Sequence, residues 1–132
     1  MGDIVLNEQK LFNLLKNNLV PDLEQTEQFN PADATSNKYN LSIELKCRNE
    51  HYSTLLIEKK KYDKLVLNKK ARYICSTPLG IFSFNIKKLP APVWQKQWLP
   101  DTYHFDKPTY IQKEVGYFHI KQSKNITNQL IK

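Results

Sequence analysis

Asp33 is followed, after ten intervening residues, by the triplet Glu44-Leu45-Lys46. On an extended strand residues two apart project to the same side, so Glu44 and Lys46 share a face. With Asp33 on the neighbouring strand of a hairpin, two carboxylates and one ammonium converge at one sheet edge. Two adjacent carboxylates repel unless neutralised, and their hard oxygens suit Mg²⁺ or Mn²⁺. A divalent ion held there would polarise a phosphodiester and lower the pKa of a water molecule beside it. Lys46 could position that water or stabilise the negative charge that develops around phosphorus. The Leu45 backbone carbonyl could complete the metal shell. A Glu-x-Lys pair on the open face of a strand is also commonplace, and an exposed ion pair contributes at most about 1 kcal/mol. The triplet alone therefore decides nothing, and its surroundings carry the reading.

Those surroundings are legible in the periodicity. Leu11, Leu14, Leu15 and Leu19 recur at three- and four-residue steps and predict a helix over the first 20 residues, capped by Asn7 or Asp3 and stopped by Pro21. The polar stretch 21–31, ending in Asn30-Pro31, reads as a loop. From Ala32 to Arg48 the period changes to two: Leu41, Ile43, Leu45 and Cys47 alternate with Ser42, Glu44, Lys46 and Arg48, which predicts a strand with one buried side. Ser36-Asn37-Lys38 supplies turn chemistry and puts Asp33 on an antiparallel partner strand. The segment Thr54–Leu67 reads as helical, with Tyr62, Leu65 and Val66 toward the sheet. Ala71–Ser76 and Ile81–Ile86, joined by Thr77-Pro78-Leu79-Gly80, predict a hairpin. Residues 89–108 hold four prolines together with Trp94 and Trp98 and read as an irregular excursion. Tyr110–Lys121 reads as a last strand. The expectation is one α/β domain over 1–121, a mixed central sheet flanked by helices, and a polar tail over 122–132 that frays.

Composition narrows the partner. The chain has 132 residues, with 20 Lys+Arg against 13 Asp+Glu, a net charge of +7. That excess on a small domain points to an anionic partner, nucleic acid first. Three glycines and two cysteines argue against a collagen-like chain, a disulfide scaffold and a glycine-rich phosphate loop. Cys47 and Cys75 are expected as reduced, buried thiols. No long apolar run predicts a membrane span and the first residues lack a secretory signal, so the expected setting is soluble and cytoplasmic. His51, His104 and His119 are isolated, without the spacing of a metal or nuclease histidine motif.

The run Asn30-Pro31-Ala32-Asp33, then Leu41-Ser42-Ile43-Glu44-Leu45-Lys46-Cys47-Arg48, then Leu56-Ile57-Glu58-Lys59-Lys60-Lys61-Tyr62-Asp63-Lys64-Leu65 resembles the PD-(D/E)XK nuclease superfamily. The likeness is greatest to its small members, of phage type or the size of a Holliday junction resolvase, and covers mainly residues 5–86. It implies a restriction-endonuclease-like fold and Mg²⁺- or Mn²⁺-dependent phosphodiester hydrolysis. It implies Asp33 and Glu44 as metal ligands, with the Leu45 carbonyl, and Lys46 as the catalytic lysine. The chain departs from the pattern because its literal Pro-Asp pair is Pro21-Asp22, with 21 residues between Asp22 and Glu44. Asp33 is preferred, since its shorter spacing fits a simple hairpin, but Asp22 stays open as the first acidic ligand.

Glu8 is a further candidate carboxylate for the site, against the plain reading of a helix-start glutamate favoured by the macrodipole. Lys59, Lys60, Lys61 and Lys64 read as a solvated face or as phosphate contacts, with Lys61 the first to reach the site. Trp94, Trp98, Tyr103 and Phe105, set among Lys96 and Lys107, read as a cap over the core, with base stacking or a dimer surface as the rival. The expected partner is DNA, with RNA left open, and a homodimer follows by analogy with small nucleases. The alternative is an inactive nucleic-acid-binding or protein-interaction module of the same fold.

Overall fold

Asn7 starts the first helix by accepting the Lys10 amide on its side-chain oxygen at 2.8 Å. In the computed structural model, which describes residues 3–27, 32–68, 70–100 and 109–131, α1 then runs Glu8–Asn18. Its apolar stripe buries Leu11, Phe12 and Leu15. Lys16 Nζ holds the turn that follows by donating to the Pro21 and Leu23 carbonyls at 3.0 and 2.8 Å.

The stripe packs on a mixed six-stranded sheet of β1 (Glu24–Gln25), β2 (Ala34–Ser36), β3 (Leu41–Cys47), β5 (Lys70–Thr77), β6 (Gly80–Asn85) and β9 (Lys124–Asn125), in that spatial order. Only the β3–β5 pair among these neighbours is parallel, with Glu44 opposite Tyr73 and Lys46 opposite Cys75. The expected β2–β3 hairpin forms in the register Ala34–Ile43. Its turn places Asn40 at φ 51°, a left-handed conformation that asparagine tolerates. The β5–β6 hairpin matches the sequence expectation closely.

A second sheet of three strands, β4 (Thr54–Glu58), β8 (Tyr110–His119) and β7 (Gln95–Pro100), covers the other face. The core is therefore double. Ile43, Leu45, Ile74 and Ala34 pack on α1 on one side, while Tyr73, Cys75 and Phe84 meet Leu55, Ile57 and Phe118 on the other. Phe84 and Phe118 have ring centroids 5.4 Å apart.

Four expectations change. Thr54–Leu67 is not one helix: Leu55 and Ile57 face the core from strand β4, and α2 occupies only Lys59–Leu65. The apolar run Leu55-Leu56-Ile57 fits either period, and long-range pairing with β8 decides for a strand. The proline-rich excursion includes strand β7. Strand β3 is covered on both faces, since Ser42 and Glu44 are buried along with Ile43. The run from Gln122 does not fray: it forms β9 and α3 (Thr127–Leu130), and buries Ile126 and Leu130 beside α1. Asn30, Pro31, Tyr103, His104, Phe105 and Lys107 lie outside the described residues.

Trp94 caps the second core cluster, as expected, with its ring edge-on to Tyr62 at 5.1 Å. Gly116, opposite Ile57, lets the Pro92–Trp94 segment lie against β8. A Cβ at Gly116 would collide with the Pro92 ring and stand 2.9 Å from the Trp94 ring. Gly116→Ala is therefore expected to destabilise the protein by about 1–3 kcal/mol. A thermal melt checks this, and an unchanged midpoint would show that the segment yields freely.

Candidate active site

Asp33 stands at the bend that leads into β2, where its backbone amide donates to the Ile43 carbonyl at 3.0 Å. Ala34 is the register partner of the same Ile43, so two residues of one strand address one of the other, as in a β-bulge. The irregularity turns the Asp33 side chain into the sheet edge, where its Oδ2 accepts the Leu45 amide at 2.8 Å. A carboxylate thus replaces the backbone acceptor that a longer β2 would have supplied. The amide and carbonyl of one strand residue point to the same neighbour. The Leu45 carbonyl is therefore directed to the Asp33 side as well.

Glu44 projects from β3 between the two sheets and is 5% exposed. Its Oε1 accepts from Lys61 Nζ, on α2, at 2.9 Å. Burial pushes the Glu44 carboxyl up to about 7, outweighing the Lys61 ammonium, with the charges of Asp33 and Glu8 adding to the rise. The pKa of Lys61 is raised as well: burial disfavours its charge, but the Glu44 carboxylate more than offsets this. Glu8, in the first turn of α1, is thus within electrostatic reach of the buried carboxylate from the other layer.

Lys46, two residues along β3, lines with Glu44 and Lys61 a cleft of about 30 Å³ between β3 and the second sheet. Sequence reasoning passed over two further residues on this wall. Arg48 continues the same face of β3 by one more step of two, a signal the alternation already contained. Glu58 comes from the end of β4 and pairs with Lys113 at 2.8 Å, a contact that only the pairing of β4 with β8 creates.

The remaining candidates fall elsewhere. Asp22 accepts from Ser36 Oγ at 2.6 Å and from the Lys38 amide at 3.0 Å, bonds that lower its pKa and fasten the hairpin turn. That is the end of β2 opposite to Asp33. Of the basic run, Lys59 is bound to Asp63 at 2.6 Å and lies 5.8 Å over the Trp94 ring, while Lys60 and Lys64 are exposed on α2. Trp98 is exposed on β7. Cys47 and Cys75 are free thiols that burial pushes up to about 11, so neither offers a thiolate near neutrality. Among the described residues no three acidic, histidine or cysteine side chains gather into a ready-made metal cage. The candidate donors are the Asp33 and Glu44 carboxylates and the Leu45 main-chain carbonyl, with the Glu58 carboxylate on the same wall held by Lys113. That set fits Mg²⁺, which keeps several waters and is bound through one or two carboxylates together with substrate phosphates.

The architecture is a six-stranded mixed sheet with α1 on one face and α2 on the other, and with Asp33 at the start of the β2–β3 hairpin. The crystal structure of Hjc, a Holliday junction resolvase from the hyperthermophilic archaeon Archaeoglobus fulgidus, superposes with a TM-score of 0.52 over 91% of each chain. The fold is restriction-endonuclease-like. At 14% identity the likeness to this resolvase is one of architecture. No family model and no curated protein matches the chain by sequence. Within the resolvase-like fold, no described helix is long and apolar enough to cross a membrane.

Proposed function

We propose that this chain is a Mg²⁺-dependent endonuclease that hydrolyses phosphodiester bonds in DNA. The observation that supports the proposal is that Glu44 and Lys46 share one wall of the cleft while the Asp33 carboxylate, held on the amide of the intervening Leu45, acts electrostatically on Glu44, which is itself paired to Lys61. In this reading Asp33, Glu44 and the Leu45 carbonyl hold the ion. When bound, the ion lowers the pKa of water and polarises the scissile phosphate. Lys46 orients the attacking water and stabilises negative charge on the phosphate oxygens as the bond to the leaving oxygen breaks. Lys61 neutralises Glu44 while the site waits and can turn to a phosphate once the carboxylate is engaged. Lys60 and Lys64, exposed on the next helix, contribute phosphate contacts that position the strand. A second copy of the chain belongs to this reading, because one small protomer has limited surface for gripping a duplex.

One observation favours a second reading, an inactive binding module of the same fold. Lys61 already occupies the carboxylate that a metal needs, at 2.9 Å. The two separate in one experiment. Labelled four-way junction and linear duplex DNA are incubated with the protein in Mg²⁺ and in EDTA. A nuclease cuts at least one of them only with the metal, and the junction comes first because the structural neighbour is a junction resolvase. Salt-sensitive binding without cleavage in either Mg²⁺ or Mn²⁺ sinks the enzyme and supports the binding module.

A further inference from the structure

The cleft opens beside a much larger cavity, of about 350 Å³, that the catalytic reading leaves unused. Its walls include Arg48, Tyr52, Leu56, Gln97 and Tyr117, and it shares Arg48 and Leu56 with the cleft. We propose that this cavity is a nucleotide subsite, which takes one unpaired nucleotide next to the phosphodiester in the cleft, its base against Tyr52 and Tyr117 and its phosphate at Arg48. The adjacency to a scissile phosphate rests on the nuclease reading; the nucleotide-binding chemistry does not.

Three features carry the assignment. The first is alignment: Glu44, Lys46 and Arg48 project from one face of β3, roughly 6–7 Å apart along the strand. That row leads from the buried carboxylate through the cleft to the cavity, so a strand backbone lying along it meets Lys46 and then Arg48. The Arg48 amide donates to the Ser76 carbonyl at 2.7 Å, which holds this residue in line beyond the end of β3. The second is the wall chemistry. Leu56 and Tyr117 are register partners on one face of the second sheet, and the Tyr117 hydroxyl donates to Gln97 Oε1 at 2.5 Å. Tyr52, on the opposite rim, is 54% exposed and is fixed through its hydroxyl to Glu50. Aromatic rings with an arginine suit a base and its phosphate, because every base offers a π-face and the guanidinium pairs with phosphate oxygens. The third is size. The volume lies at the low end of small-molecule pockets and suits one nucleotide, whereas a stacked base pair is too large for it. The substrate implied is therefore DNA with an unpaired or extruded nucleotide beside the cut.

The probe is the oligonucleotide (dT)₄, with thymidine and thymidine 5′-monophosphate as ligands of the single subsite. Binding to the full chain is followed by NMR titration in EDTA, so that no cleavage or metal enters. The expected result is saturable binding of (dT)₄ that weakens about tenfold or more in Tyr52→Ala and in Tyr117→Leu, and that Tyr117→Phe restores. Thymidine 5′-monophosphate should bind more tightly than thymidine, and Arg48→Gln should remove that difference. Tyr52 is exposed, so its variant reports on the cavity even if Tyr117→Leu fails to fold. Failure of (dT)₄ to saturate, or equal affinity in wild type and Tyr52→Ala, overturns the subsite. A protein that binds (dT)₄ in this way but cuts no DNA loses the nuclease reading alone; one that cuts without such binding loses the subsite alone.

Discussion

Glu44→Gln and Lys46→Ala are each expected to lower Mg²⁺-dependent DNA cleavage by at least about a thousandfold, with binding of uncut DNA retained. The glutamine keeps the volume and hydrogen-bonding atoms of the glutamate in a site that is 5% exposed, so no cavity opens. What it removes is the ionisable group that would hold a cation and that now accepts from Lys61 at 2.9 Å. Lys46→Ala leaves both carboxylates and removes the ammonium facing the cleft, so metal binding should survive while turnover does not. Asp33→Asn completes the set, because its amide oxygen can still accept from the Leu45 amide and preserve the strand edge. Single-turnover rates on a labelled junction and duplex, with a filter or gel measurement of affinity, separate chemistry from binding. Cleavage within tenfold of wild type in Glu44→Gln would remove Glu44 from the chemistry. Equal loss of binding and cleavage in all three variants would point to a structural role.

What the sequence made legible was what local periodicity determines. The alternation from Leu41 to Arg48 placed Glu44 and Lys46 on one face, and the spacing to Asp33 fitted a hairpin that forms as expected. The same alternation misled on solvent exposure, since it read the Glu44 face as the open one. What covers Glu44 is the end of β4 with α2, and β4 takes its place only when residues 54–58 pair with residues 115–119 across the chain. A pairing at that separation leaves no mark in local spacing. Strand β4 was misread for the same reason, and Lys113 could be connected to Glu58 only once β8 lay beside β4. The different surroundings of Asp22 and Asp33 likewise appear only in three dimensions. Both precede the triplet, but Asp22 satisfies Ser36 and the Lys38 amide at the turn, while Asp33 satisfies Leu45 beside Glu44.

The same burial gives the site a pH signature, the second large effect. The Glu44 carboxyl is raised from 4.5 to about 7, so the fold favours its neutral form. A group raised in this way contributes fully to stability below its unfolded pKa, and the contribution is lost as pH rises through the folded value. Metal-free protein should therefore lose about 3 kcal/mol of stability between pH 4.5 and pH 8 through this one residue. Glu44→Gln, which cannot ionise, should match the wild type near pH 4.5 and exceed it at pH 8. A divalent ion reverses the balance, since it binds the ionised carboxylate and must displace the proton below the folded pKa. Mg²⁺ affinity should fall about tenfold per pH unit below about pH 7 and level off above it. Titration calorimetry in two buffers of different ionisation enthalpy should then report proton release at pH 6 and little at pH 8. Denaturant melts of wild type and Glu44→Gln across this range test the stability arm. Parallel stability curves for the two proteins, or a Mg²⁺ affinity that is flat from pH 5 to pH 8, would show that Glu44 is ionised throughout and that Lys61 has already replaced the cation.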